Sequence, residues 1–341
     1  MGKRWLSHEK KLNLASFNEG LKHLSNDYKI LAPVSMPYKG TYSDTDVVRY
    51  QEVSSIEEME LSRKSNFSPK EIILPITQIL FYFTEKEFKE SDIDNKKTII
   101  FLRACDINAV KRLDQIYLEN GIEEDYYYKR LREKVKFVLV GCKESFRNCF
   151  CVSMDSNKTD NYSMALNLRD NEVYLDIKDK DLDIFEGEST DFLVDYVKEN
   201  TISIEIPKDL DSKKISQNPM WDEYDARCIA CGRCNFVCPT CSCFTMQDIF
   251  YKENENVGER RRVWASCQVD GYSDMAGGHS FRNKHGQRMR FKTMHKIYDF
   301  NKRFGNHMCV GCGRCDDACP QYISFSSCIE KVNDEVNKEE I

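Results

Sequence analysis

The sixteen cysteines of this 341-residue chain are the residues whose spacing indicates chemistry. Eight of them fall in two runs, CIACGRCNFVCP and CVGCGRCDDACP, which both follow the pattern C-x2-C-x2-C-x3-C-P. This pattern is typical of [4Fe-4S] cluster loops, and in two-cluster proteins the fourth cysteine of each run ligates the other cluster. We therefore predict two clusters, the first held by Cys228, Cys231, Cys234 and Cys319 and the second by Cys309, Cys312, Cys315 and Cys238.

Zinc and disulfides are the alternatives for these two runs. Zinc sites use paired C-x2-C knuckles rather than a four-cysteine run that ends in proline, so the spacing favours iron and sulfide. Disulfides would need an export route, and the first residues, MGKRWLSHEK, lack the apolar core of a signal peptide. We expect a cytoplasmic protein whose thiols stay reduced and bind metal.

Four further cysteines lie upstream, and the elements that precede them would bring them together. The runs KKTIIFL (96–102) and KVKFVLV (134–140) read as buried strands with a helix between them, which predicts a parallel βαβ unit. The carboxyl ends of parallel strands meet at one edge, where ligands usually bind. A third [4Fe-4S] cluster is therefore expected; packing of buried thiols and a zinc site are the alternatives. Its ligands would be Cys105, Cys142, Cys149 and Cys151.

The roles of the remaining cysteines are left open by their spacing. Cys241, Cys243, Cys267 and Cys328 could lie beside a cluster, pack in the core, or belong to a variant site that borrows a non-cysteine ligand. Residues 260–296 form a basic insert between the two cysteine runs and contain three of the six histidines. This insert is either a solvated cationic face, or a structural segment whose cations ease cluster reduction and dock an acidic partner.

The pattern of apolar residues predicts an α+β chain of two parts. Residues 1–212 read as a mixed α/β domain, with a helix at 106–121 that Asp106 caps, a hairpin at 163–177 and a helix at 189–200. Residues 213–341 read as a mainly helical ferredoxin-like domain. The roughly seventy residues between its two cysteine runs are expected to be mostly helical or irregular, and residues 70–76 are expected to form a strand.

Composition excludes several classes of function. The net charge of −6 and the pI near 5.7 argue against a nucleic-acid binder. The longest apolar stretch, residues 72–83, is too short to span a bilayer, so no membrane contact is expected. No glycine-rich dinucleotide fingerprint is present, so NADH and flavin are expected to bind to a partner. We expect no catalytic residue and no substrate site in this chain.

Several of these segments together resemble a known family. CIACGRCNFVCPTCSCF, WASCQ, AGGHSFRNKHGQRMRFKTMHK and CVGCGRCDDACP, with RACDINAVKRLD and GCKESFRNCFC upstream, resemble the iron–sulfur A subunit of anaerobic sulfite reductases. The same frame is similar to the β subunit of sulfhydrogenase-type nickel–iron hydrogenases. The resemblance covers most of the chain from residue 101 onward. It implies the same eight ferredoxin cysteines as cluster ligands.

The resemblance also implies a function within a hetero-oligomer. A flavin subunit would take electrons from NADH, this chain would relay them, and a sirohaem subunit would reduce sulfite to sulfide. The alternative is the equivalent relay subunit of a cytoplasmic nickel–iron hydrogenase, which differs in its terminal partner. A third hypothesis is a redox sensor or scaffold whose clusters report rather than conduct.

Overall fold

The structure, a computed structural model, describes residues 8–208 and 210–338 and is mixed α and β. Its strands are β1 (His8–Asn13), β2 (Tyr28–Met36), β3 (Val47–Glu52), β4 (Thr77–Phe83), β5 (Phe88–Glu90), β6 (Lys97–Leu102), β7 (Val135–Val140), β8 (Met164–Arg169), β9 (Glu172–Ile177), β10 (Glu188–Ser189), β11 (Phe244–Tyr251) and β12 (Asn254–Trp264). Its helices are α1 (Leu14–Leu24), α2 (Ala104–Tyr117), α3 (Tyr126–Arg132), α4 (Ser212–Gln217), α5 (Glu223–Arg227), α6 (Arg233–Phe236), α7 (His285–Met294), α8 (Phe300–Phe304), α9 (Arg314–Ala318) and α10 (Phe325–Asn337).

Eight strands form the first sheet, in the order β10-β1-β9-β8-β7-β6-β2-β3. Its centre is parallel, because β6 pairs in parallel with both β2 and β7, and β7 with β8. Successive side chains of β6 enter different cores: Ile99 and Phe101 pack on one face, Ile100 and Leu102 on the other. A sheet buried on both faces explains why these strands read as continuous apolar runs.

The predictions for this sheet are confirmed at its centre. β6, α2 and β7 form the expected parallel unit. The hairpin of β8 and β9 turns at Asp170 and Asn171, both of which have positive φ, as a tight two-residue hairpin turn requires. The predicted cap of α2 is wrong: the helix begins after Arg103, and Asp106 instead pairs with Arg314.

The predicted helix at 189–200 is also wrong. After β10 this segment is irregular, because side chains elsewhere bind its backbone groups. The Asn167 amide donates to the Leu193 carbonyl at 2.8 Å, and the Asn157 amide donates to the Val197 carbonyl at 2.8 Å. Such bonds offer the backbone an alternative to helical pairing.

A second, antiparallel sheet has the order β11-β12-β4-β5. The segment between the two cysteine runs was expected to be mostly helical or irregular. This expectation is wrong for residues 244–264, which form the hairpin of β11 and β12. The strand expected at 70–76 is likewise wrong, because a 3₁₀ turn occupies Pro69–Ile72 and β4 starts only at Thr77. This sheet contains strands from both sides of the predicted domain boundary at residues 212 and 213, since β4 and β5 precede it and β11 and β12 follow it. The division into domains stays a prediction.

The last third of the chain is arranged around a long bent helix. A π-helical turn, His295–Asp299, joins α7 to α8, and such turns often occur at functional sites. A third core packs Phe150 and Met154, from upstream, with Trp221, Met289 and Ile329. Among residues 8–208 and 210–338, none of the helices has the length and apolar character needed to cross a membrane.

Candidate metal centres

The two ferredoxin runs wrap two separate cavities. The first cavity, of about 490 Å³, is lined by Cys228, Cys231, Cys234 and Cys319. The second cavity, of about 350 Å³, is lined by Cys309, Cys312, Cys315 and Cys238. The fourth cysteine of each run thus lies with the first three cysteines of the other run, which is the grouping expected for paired [4Fe-4S] loops. The donor sets fit such clusters, while the individual ligand roles stay predictions.

Glycines in the left-handed conformation shape both loops. Gly232 has φ 74° and Gly313 has φ 69°. Each glycine immediately precedes the short helix that carries the third cysteine of its run. These angles disfavour any residue with a Cβ atom. The same two positions in the two runs therefore carry the same backbone turn.

The four upstream cysteines line a third cavity, of about 480 Å³. Cys105 lies in the first turn of α2 and Cys142 lies two residues after β7, so both follow the carboxyl ends of neighbouring parallel strands. The Arg103 guanidinium bridges these strand ends by donating to the Gly141 carbonyl at 2.6 Å. Cys149 and Cys151 reach the cavity from the following loop. The third cavity therefore collects four thiols, the number that a cubane needs.

The loop that carries Cys149 and Cys151 packs on the second ferredoxin run. The Phe150 amide donates to the Gly311 carbonyl at 2.8 Å. A Cβ atom at Gly313 would lie 2.1 Å from the Asn148 carbonyl oxygen, so only glycine allows this approach. Cys312 lines both the second and the third cavity. The upstream cysteines are thus directly joined to the ferredoxin segment.

The first and second cavities also share walls. Cys315 and Phe325 line both of them, and Lys292 contributes to both as well. The three cavities therefore form a continuous series, with the second in the middle. Within the described ranges, no three His, Cys, Asp or Glu side chains are grouped tightly enough around one point to hold a single metal ion.

Three buried lysines surround these cavities, and sequence reasoning missed them. Lys70, Lys292 and Lys296 are only 3–4% exposed. In the part of the chain that the structure describes, none of the three has a carboxylate within 4.0 Å, whereas buried cations are normally paired. Their neighbours are thiols: burial alone would lower the pKa of Lys292, but Cys234 and Cys315 raise it well above its usual value. Anionic groups bound to the cysteines would supply the missing charge.

The basic insert is therefore partly internal. Of the two interpretations of residues 260–296, a solvated cationic face does not describe Lys292 and Lys296, which point inward from α7 and the π-helical turn. Their spacing of four residues, which places both on one helix face, is the signal that could have separated them from the exposed lysines and arginines. His279, by contrast, is exposed on a loop.

Burial also raises the pKa values of several of the cysteine thiols. It raises the pKa of Cys151 and of Cys309 to about 12, and that of Cys312 to about 11. These thiols hold their protons in water of ordinary pH and must release them when they bind a metal. Cluster assembly at these positions therefore releases protons.

Three of the cysteines with open roles lie together. Cys241, Cys243 and Cys267 line a fourth cavity, of about 610 Å³, with His295 and Tyr272. A hydrogen bond from Cys243 lowers the pKa of the Cys267 thiol to about 6 and holds that of Cys241 well below its usual value. Cys328 lies elsewhere, fully buried in α10, where its sulfur is 3.4 Å from the Thr293 hydroxyl.

Comparison with known proteins gives the class of the chain. Residues 227–323 match the family model described as the 4Fe-4S dicluster domain, and this span contains all eight ferredoxin cysteines. With the cysteine-lined cavities, the match defines an iron–sulfur electron-transfer protein. At the level of single proteins, the chain is similar to the sulfhydrogenase 2 subunit beta of Pyrococcus furiosus, at 29% identity over 349 aligned residues that cover 95% of this chain and 98% of the relative. No solved structure matches the chain.

Proposed function

We propose that this chain is the electron-relay subunit of a multi-subunit oxidoreductase. The observation that carries the proposal is the series of adjoining cavities, each lined by all four cysteines of one predicted ligand set. A bound [4Fe-4S] cluster takes up and releases single electrons. Adjoining sites of this kind are what a relay requires, whereas a scaffold or sensor needs no such series.

The chain's own residues prepare these sites. Cysteine thiolates hold each group, and the buried ammonium of Lys292 stabilises the added negative charge on reduction. Lys64 supports the third cavity by donating to the carbonyls of Arg147 and Cys312, at 2.8 and 3.0 Å. We propose that the third cavity holds a third cluster through Cys105, Cys142, Cys149 and Cys151.

The proposal also names the subunit that receives the electrons. The full-length similarity to a sulfhydrogenase β subunit favours a nickel–iron hydrogenase partner. A sirohaem sulfite-reducing subunit is the second candidate, supported by the resemblance of most of the chain from residue 101 onward to the A subunit of anaerobic sulfite reductases. In both cases we propose that a flavin subunit supplies electrons from NADH, and that the complex is cytoplasmic.

The test is made on the complex purified anaerobically from its source. The copurifying subunits are identified, and NADH-dependent hydrogen evolution and sulfite reduction are both measured. We expect one of the two activities, and we expect its loss when Cys231 or Cys312 is replaced by Ser. Cys328→Ser is the matched control, because this buried cysteine lines none of the four cavities. Full turnover in Cys231→Ser or Cys312→Ser complexes would overturn the relay proposal.

A further inference from the structure

The fourth cavity has the chemical character of another cofactor site. Its three cysteines come from two segments, Cys241 and Cys243 just before β11 and Cys267 just after β12. The hairpin closes between them: Phe244 pairs with Trp264, and the Ala265 amide donates to the Cys243 carbonyl at 3.0 Å. The register of the hairpin therefore fixes the separation of the two cysteine segments.

The Cys267 thiol of this site is held by polar side chains. The Asn235 amide donates to the Cys267 sulfur at 3.2 Å, and the Gln268 amide donates to the same sulfur at 3.7 Å. Buried cysteines that serve only as small apolar residues do not need such partners.

Buried positive charge faces this site. The Lys70 ammonium, 3% exposed, donates to the Cys241 carbonyl at 3.0 Å and lies 4.0 Å from the centre of the Trp264 ring. Lys292 and Lys296 line the cavity itself. Three buried cations around three thiols indicate a strongly anionic occupant.

A nitrogen ligand is also present. His295, in the π-helical turn, lines the cavity, and its ring is stacked on Phe291 with centroids 5.9 Å apart. Imidazole nitrogen is a common ligand of transition metals. Histidine replaces cysteine as an iron ligand in some iron–sulfur centres.

We propose that Cys241, Cys243, Cys267 and His295 hold a fourth iron–sulfur cluster. A single zinc ion could also use three cysteines and one histidine. The neighbouring second cavity, whose four cysteines fit a [4Fe-4S] cluster, favours iron and sulfide over zinc at this site. The fourth cavity also shares Lys292 and Lys296 with the second cavity, which joins it to the series.

One wall of the fourth cavity reaches the protein surface. Tyr272, which lines the cavity, is 37% exposed. The exposed strand β11 begins one residue after Cys243. This position suits a site where electrons enter or leave the chain.

Metal analysis tests the inference independently of turnover. Iron, acid-labile sulfide and zinc are determined in the full-length chain isolated anaerobically, together with EPR of the reduced protein. Four clusters give about sixteen irons per chain, and three give about twelve. A value of eight or fewer, or about one zinc per chain, overturns the fourth cluster. At twelve irons the variant Cys142→Ser decides which cavity is filled. A loss of about four irons from Cys142→Ser overturns the fourth cluster and leaves the three-cluster relay proposal intact, whereas an unchanged iron content overturns the third cluster instead.

Variants locate the site. Cys243→Ser and Cys267→Ser should each lose about four irons and four sulfides relative to the wild-type chain, while the signals of the other clusters remain. Cys328→Ser should lose none. An unchanged iron content in Cys243→Ser and Cys267→Ser overturns the assignment. The wild-type count decides the question if either variant fails to fold.

Discussion

The ion pair between Arg314 and Asp106 offers the sharpest test of how the two halves of the chain are joined. The side chains are 2% and 0% exposed. Two hydrogen bonds, of 2.6 and 2.9 Å, join the guanidinium to the carboxylate, and Arg314 also donates to the Ser65 carbonyl and hydroxyl. At a separation of 2.6 Å and an effective dielectric constant of about 20, the attraction is about 6 kcal/mol, much of which the burial of both charges offsets.

Asp106→Asn should therefore destabilise the chain strongly, because it leaves the Arg314 charge buried without a partner. Removal of one member of a buried pair typically costs about 3–5 kcal/mol. In a chain of this size we expect the apparent melting midpoint to fall by roughly 5–10 °C. The double variant Asp106→Asn, Arg314→Met should recover part of that loss, because it also removes the buried charge.

The assay is anaerobic thermal unfolding followed by circular dichroism. Asp248→Asn is the control, because Asp248 forms an exposed pair with Arg260 at the surface of the second sheet; its midpoint should stay unchanged. If Asp106→Asn lowers the midpoint no more than Asp248→Asn does, the buried pair does not stabilise the junction of the two halves.

Three further predictions follow from the same geometry. Gly313→Ala should displace the loop at Asn148 and lower the iron content of the chain. Gly305 has a similar φ of 72° but open space around it, so Gly305→Ala should keep all its iron. Equal iron contents in the two variants would show that the close approach at Gly313 is not needed for cluster binding. Lys292→Gln should make reduction harder, because it removes a buried cation from the wall of the first and second cavities, whereas the exposed Lys302→Gln should leave the potentials unchanged. Spectroelectrochemistry measures both variants, and equal potentials would argue against a role for Lys292. Anaerobic removal of iron by a chelator should lower the helical circular dichroism, because the buried lysines lose their counter-charge; an unchanged spectrum would show that the fold does not depend on the clusters.

The sequence was informative where the signal is local. The spacing of the ferredoxin cysteines and the rule that parallel strands end at one edge were enough to group twelve cysteines into three sets, and each set lines one cavity. The turn at Asp170 and Asn171 was equally readable from its two residues.

The errors lie where distant parts of the chain decide the structure. β12 pairs with β4, more than 170 residues earlier, as in the pair Arg262 and Gln78, and no local pattern reports such a pairing. Residues 189–200 have helical composition, but the amide side chains of Asn167 in β8 and of Asn157 in the preceding loop bind their backbone. The burial of Lys70 was hidden for the same reason: its thiol neighbours lie about 170 residues further along the chain.

The second sheet affects how the chain behaves before it assembles with a partner subunit. In the part of the chain that the structure describes, β11 pairs only with β12, so its outer edge carries unpaired backbone groups. Phe244, Met246 and Phe250 are 38%, 49% and 57% exposed along the same strand. An apolar open edge of this kind promotes strand addition by other copies. In newly made chains, aggregation through this edge therefore competes with assembly. Co-synthesis with the other subunits should raise the yield of intact protein.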